Sequence, residues 1–252
     1  MFLAVTLVMN TLGAVGLING LTQKQISDMY VTVITPSPAT FSIWSVIYSL
    51  LLISVIAMII KKDDPYYQRA VDQISALFRV SCVLNIAWIL LFSFVLVEIS
   101  VIVILGLAIA LALICMKLLE IREGKRWLLP VSFGIYGGWL FIAAFVNIAA
   151  ALVKLEWSGL GLAQEAWGSI MLVVALLVVI GILLKIRNAV FPLPIAWAYF
   201  GIDQFLKSPE GFKGEHPTLQ IVALIGLGIL LAISAALFVW NHFSVLPKKV
   251  KN

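Results

Sequence analysis

Asn85 and Trp88 lie three residues apart in SCVLNIAWILLF, and Tyr136, Trp139 and Asn147 recur through IYGGWLFIAAFVN. Helical residues three or four apart share a face, and eight residues is slightly over two turns, so each set projects to one side. Both runs are otherwise apolar, and an amide surrounded by hydrocarbon must find a hydrogen-bond partner. Two readings follow. The amides are either interhelical glue, or they orient a ligand in an aromatic-lined cavity between helices. Phe41, Trp44 and Tyr48 form a third stripe at spacings of three and four, just after Pro36 and Pro38. The prolines dictate a stiff, non-helical approach to that stripe. It reads either as a helix start with interfacial aromatics or as one wall of such a cavity. Indole and phenol rings offer flat apolar faces with one hydrogen-bonding point each. A wall of them suits a planar or polycyclic ligand better than an ion.

A second group of residues is secondary. Arg79 and Asp203 are charges inside apolar segments, where ionisable groups mark functional sites or structural ion pairs; one arrangement to test is an Arg79–Asp203 pair. Trp197 and Tyr199 precede Asp203 and suggest a second site. The two histidines, His216 and His242, have no metal-ligand spacing, and no phosphate-binding glycine loop is present. Nothing resembles a nucleophile–base set, so an enzyme is disfavoured and no cofactor is required. Cys82 and Cys115 lie in apolar runs and read as small apolar residues rather than a disulfide or metal pair.

The elements that position these residues are membrane helices. Of 252 residues, 63% are hydrophobic and 12% charged, about half the charge of a soluble domain. The chain therefore reads as all-α, a polytopic membrane helix bundle in contact with lipid. The net charge of +5 suits anionic headgroups, with no sign of nucleic-acid binding. Runs of about 20 apolar residues predict spans at 2–18, 40–60, 70–97, 100–119, 128–153, 167–184, 191–206 and 219–243. The first begins without basic residues and reads as a retained span rather than a cleaved signal. Its polar and small residues, Asn10, Thr11, Gly13 and Gly16, predict packing against protein. Thr40 or Ser42 is expected to cap the second. The fourth is featureless enough to face lipid on much of its circumference. The long linker from Asn19 to Pro38 is a lid or a surface helix. With eight spans, twelve basic residues, including Lys61, Lys62, Arg122, Lys125, Arg126, Lys248, Lys249 and Lys251, share one side, and only Lys24, Lys154, Lys207 and Lys213 share the other. The positive-inside rule then puts both termini in the cytoplasm.

Three motifs in order carry a resemblance. Pro36-Ser37-Pro38 with Phe41, Trp44 and Tyr48, then Leu84, Asn85, Trp88 and Phe92, then Tyr136, Trp139, Ala143 and Asn147 resemble signatures of the TspO/MBR family. These are the tryptophan-rich sensory proteins related to the mitochondrial translocator protein. The resemblance covers residues 1–153, with 154–252 as an extension of about three helices. It implies a five-helix domain, often dimeric, with a pocket capped by the loop between the first two helices. It also implies binding of porphyrins and, in some members, sterols. On that resemblance Pro36, Pro38, Phe41, Trp44, Tyr48, Asn85, Trp88, Tyr136, Trp139 and Asn147 would be ligand-binding. The chain departs from the pattern in its separated prolines, a shorter Phe41-to-Trp44 interval, Ile135 in place of proline, and Tyr30 and Val31 where a tryptophan is usual.

The expectation is a receptor or carrier of a hydrophobic, porphyrin-like small molecule in a bacterial or archaeal cytoplasmic membrane, with a homodimer as one partner. The alternative is an ion-coupled secondary transporter built on the proline-broken seventh segment and Asp203.

Overall fold

The computed structural model describes residues 1–121 and 127–247. Arg122, Lys125, Arg126, Lys248, Lys249 and Lys251, which contribute to the charge bias, lie outside the described residues. Nine α-helices are described: α1 (Phe2–Ala14), α2 (Gln23–Met29), α3 (Ile43–Ile60), α4 (Pro65–Ser93), α5 (Val97–Glu120), α6 (Leu128–Lys154), α7 (Gln164–Ile186), α8 (Pro192–Lys207) and α9 (Pro217–Trp240). With the 3-10 turn Pro38–Ser42 leading into α3, six are long and apolar enough to cross a membrane. The protein is thus an all-α, polytopic integral membrane bundle.

Local chemistry explains several boundaries. The Asp64 carboxylate accepts from the Tyr66 amide at 2.9 Å, and Pro65 fills the first helical position. This starts α4 five residues before the hydropathy-based limit. At its other end the expectation of residue 97 is wrong. The chain turns at Val95, which has φ of 60°, and Val97 already belongs to α5. Nothing in Phe94-Val95-Leu96 signals a turn. It is held from outside: Lys154 donates to the Val95 carbonyl at 2.6 Å and pairs with Glu98 at 2.7 Å. The first span is also shorter than expected, since α1 ends at Ala14 and Gly16 turns the chain with φ of 77°. At 13 residues it is roughly 20 Å long. Neither Thr40 nor Ser42 caps α3 with its side chain; Thr40 Oγ1 instead pairs with Ser37 Oγ at 2.9 Å.

The centre of the bundle is α6. Two-thirds of its most apolar window, 67%, is buried, against at most 39% in any other span-length helix. It packs against α3, α5, α7 and α8. A bond between Ser54 Oγ and Ser132 Oγ at 2.7 Å ties it to α3. The fourth expected span, now α5, leaves much of its surface outside the protein, with Ile99, Ile102, Leu105, Ile109 and Leu113 exposed. It contacts α4, α6 and α7, and its buried positions run through Ile104, Leu107, Leu111, Ile114 and Leu118.

The last three helices pack onto the earlier ones rather than apart from them. The approach of α8 to α6 depends on a strip of small residues. Gly134 faces the Asn188 side chain, Gly137 faces the Phe191 ring, and Gly138 faces the Phe191 carbonyl and Pro194. The connection between α7 and α8 is buried. Asn188 donates to the Pro130 carbonyl at 2.8 Å, and Ser234 and Val245 hydrogen-bond Ala189. These protein groups satisfy the irregular backbone there. The chain can then restart as α8, only 16 residues long.

This contact gives a prediction. In Gly138→Ala the new methyl meets the Phe191 backbone, which cannot swing away. The substitution should cost about 1–3 kcal/mol and lower the thermal unfolding midpoint in detergent. Gly228→Ala, where the methyl meets nothing, should leave the midpoint unchanged or raise it.

Candidate functional site

A cavity of about 460 Å³ lies at the end of the bundle where α1, α4, α6 and α8 finish and α3 begins. Its roof is the linker between α1 and α3. Gln23, Lys24, Ser27 and Asp28 of α2 line it, followed by Tyr30, Thr35, Pro36 and Pro38. The roof is a built element. Thr22 Oγ1 accepts from the Gln25 amide at 3.1 Å while the Gln25 side chain accepts from the Thr22 amide at 2.8 Å, a reciprocal cap that holds a two-turn helix. The fully buried Ile26 anchors it in a small cluster with Phe92, Val97 and Ala151.

The walls are aromatic. Trp44 stacks on Tyr48 with centroids 5.2 Å apart, as α3 spacing dictates. Trp139 of α6 meets Phe41 edge-on at 5.9 Å and Trp44 at 6.3 Å. Trp88 stacks on Phe92 at 5.1 Å on α4. Asn147 lies between two of these helices. Its Oδ1 accepts from Trp88 Nε1 at 2.7 Å and from Ser100 Oγ at 3.1 Å.

Eight of the ten primary residues named from sequence line this cavity: Pro36, Pro38, Phe41, Trp44, Tyr48, Trp88, Trp139 and Asn147. Asn85 and Tyr136 do not. They sit behind the wall, where Asn85 Nδ2 donates to the Tyr136 hydroxyl at 3.0 Å and Asn85 Oδ1 accepts from Asn10 Nδ2 at 2.7 Å. Both therefore hydrogen-bond between helices. Asn10 reaches the cavity itself. Its place on a polar face of α1 was visible in sequence, but its distance from the motifs gave no sign that it joins Asn85. The α2 residues, Ala198 and Phe205 were equally hidden, because only the tertiary arrangement brings them over the aromatic wall.

The secondary candidates separate. Asp203 pairs with Lys207 at 2.8 Å, one turn along α8, rather than with Arg79. Arg79 is exposed and donates to the Ser75 carbonyl on its own helix at 3.3 Å. Tyr199 donates to the Leu172 carbonyl at 2.6 Å in the packing against α7, and its ring fills the space beside Gly226. Trp197 points elsewhere: its Nε1 donates to the Thr40 carbonyl at 2.9 Å. The three therefore form no common site, and none lines the cavity.

Trp197 reveals what α8 does for the roof. The Ser37 amide donates to the Gly201 carbonyl at 2.9 Å, and Gly201 leaves room for the Thr40 side chain. These contacts fasten the proline-bearing half of the linker to α8. The loop backbone can approach the helical Gly201 carbonyl this closely because Gly201 has no side chain.

A family model described as TSPO-like protein matches residues 1–236. The match extends through most of α9, well past the residue 153 at which the motif resemblance stops. Nothing matches the chain among the curated proteins or among the solved structures.

In Gly201→Ala the added methyl overlaps Thr40. It should cost about 1–3 kcal/mol locally and raise amide exchange across residues 37–40 by roughly tenfold, with α9 unaffected. Unchanged exchange in that loop would show that α8 does not hold it.

Proposed function

The chain belongs to the TSPO-like protein family, and from that premise we propose that it is a membrane receptor or carrier for a hydrophobic, planar or polycyclic small molecule. Tetrapyrroles of the porphyrin type are the first candidates. The observation that carries this reading is the cavity of about 460 Å³ walled by Phe41, Trp44, Tyr48, Trp88 and Trp139 and roofed by α2. Its size and apolar lining suit an organic molecule of tens of atoms. A flat ring system entering it exchanges water for aromatic faces at about 25 cal/mol per Å² of apolar surface.

In the mechanism we propose, a ligand is captured beneath the roof and slides against the indole faces. Asn147, already fixed by Trp88 and Ser100, orients it. We read residues 1–153 as the unit that forms the cavity, since only Ala198 and Phe205 of its lining lie beyond them. Residues 154–252 buttress that unit and clamp its roof. If the charge bias sets orientation, the cavity opens away from the cytoplasm, opposite Lys61 and Lys62. An ion-coupled mechanism has less support, because Asp203 is held by Lys207 and lies off the cavity.

Titration of purified protein with protoporphyrin IX should quench tryptophan fluorescence saturably. The double variant Trp139→Phe, Asn147→Ala should lose most of that saturable component while retaining helicity by circular dichroism. Absence of saturation in the native protein would remove the porphyrin assignment.

A further inference from the structure

Arg79 carries a charge that no carboxylate answers, and it stands at a second hollow. Away from the roof, Phe2 and Leu3 of α1, Val55 of α3, and Ser75, Phe78 and Arg79 of α4 line an open groove of about 320 Å³. Its apolar wall is fixed by the bundle. Leu3 belongs to the buried core, and Phe78 meets Phe133 edge-on with ring centroids 5.7 Å apart. Arg79 is the one ionisable side chain on this lining. Its Nε donates to the Ser75 carbonyl at 3.3 Å, and its two terminal NH2 groups have no acceptor among the described residues. No carboxylate among those residues pairs with it. Asp203 is held by Lys207, and Asp72 lies seven residues back on α4, about 10 Å along the axis.

Depth makes that charge informative. Val55 is six residues from Lys61 along α3, and Ser75 is ten from Pro65 along α4. The groove therefore lies about 9–15 Å inside the end of the bundle that carries Lys61 and Lys62, within the roughly 15 Å of hydrocarbon in one leaflet. It opens outward beside exposed apolar side chains such as Phe2 and Val80. An arginine at such depth is costly until an anion answers it. Helical side chains lean toward the N-terminus of their helix, and the bond to Ser75, one turn back, shows Arg79 doing so. The guanidinium is thereby aimed at the headgroups beyond Lys61. Gln68, Asp72 and Ser75 precede Arg79 at spacings of four, three and four, so a polar stripe joins headgroup level to the groove. Two free NH2 groups match a phosphate in bidentate geometry. A zwitterionic lipid brings its own ammonium to that phosphate, whereas an anionic lipid leaves the negative charge for Arg79.

From this geometry we propose that the groove between α1, α3 and α4 is a binding site for an anionic phospholipid of the leaflet on the Lys61 side. The phosphate sits against the free NH2 groups of Arg79, and one acyl chain runs along Phe2, Leu3, Val55 and Phe78. The lipid supplies the counter-charge that the protein lacks and seals the seam where α1 meets α3 and α4.

The test titrates the full chain in detergent with dioleoyl phosphatidylglycerol or dioleoyl phosphatidylcholine, which share acyl chains and differ in net charge. Native mass spectrometry reads the affinity for the first bound lipid. Phosphatidylglycerol should bind about tenfold more tightly, as charge-assisted hydrogen bonds predict. Arg79→Gln, at an exposed position, should cut the phosphatidylglycerol-to-phosphatidylcholine ratio at least about threefold. Lys61→Gln removes a charge at the same end but off the groove, and should leave most of the ratio in place. Val55→Trp fills the groove and should weaken binding of the first phosphatidylglycerol while keeping helicity by circular dichroism. Equal affinities for the two lipids in the native protein overturn the proposal. So does a ratio undiminished in Arg79→Gln, or one that Lys61→Gln lowers as far, since the preference then belongs to the charged end of the bundle at large. Unchanged phosphatidylglycerol binding in Val55→Trp shows that the lipid sits elsewhere and overturns it equally.

Discussion

Hydrocarbon offers no hydrogen bonds, so every amide and hydroxyl that enters the bundle must be answered by protein. Two small networks do this here, and between them they set how four helices meet. Asn85 takes a hydrogen from Asn10 and gives one to Tyr136, which fixes α4 against α1 and α6. Asn147 accepts from Trp88 and Ser100, which fixes α6 against α4 and α5. The two networks lie about two to three turns apart along α6. Together they hold the aromatic rings beside them at the spacing that leaves a cavity. Aliphatic packing alone would allow the helices to rotate or slide with little penalty.

The second constraint is backbone proximity. The small-residue strip on α6 lets α8 approach closely enough for Pro194 and the Phe191 carbonyl to lie over Gly138. From that position the far end of α8 reaches the linker. Ser37 and Thr40 are then held by Gly201 and Trp197. The roof therefore has two differently supported halves. Residues 22–30 rest on one buried isoleucine and a reciprocal cap, whereas residues 35–42 are bonded to a helix. The first half has fewer buried residues and follows Gly16 and Gly20, both with positive φ.

Groups that complete the networks have their hydrogens spoken for. Buried polar atoms without a hydrogen bond occur on the cavity-lining residues Trp139, Tyr48 and Gln23 and also elsewhere in the bundle, on Gln73, Ser93, Asp203 and Gln220.

Membrane character, the all-α class and most of the aromatic wall are legible in the amino-acid order alone. Those depend on local composition and on helical periodicity: Phe41, Trp44 and Tyr48 share a face wherever α3 is placed. That order also exposed Asn85 and Asn147 as amides needing partners, because hydrocarbon neighbours make that need unavoidable. Tertiary structure alone decided which partners they took. Asn85 turned to Asn10 and Tyr136 and became scaffold, while Asn147 stayed at the cavity. It likewise decided that Asp203 pairs with Lys207, that α4 ends at Ser93, and that α2 and α8 complete the site. Each of these depends on groups far apart in the chain, such as Lys154 holding the Val95 carbonyl, and no local pattern encodes an interaction whose second member is 59 residues away.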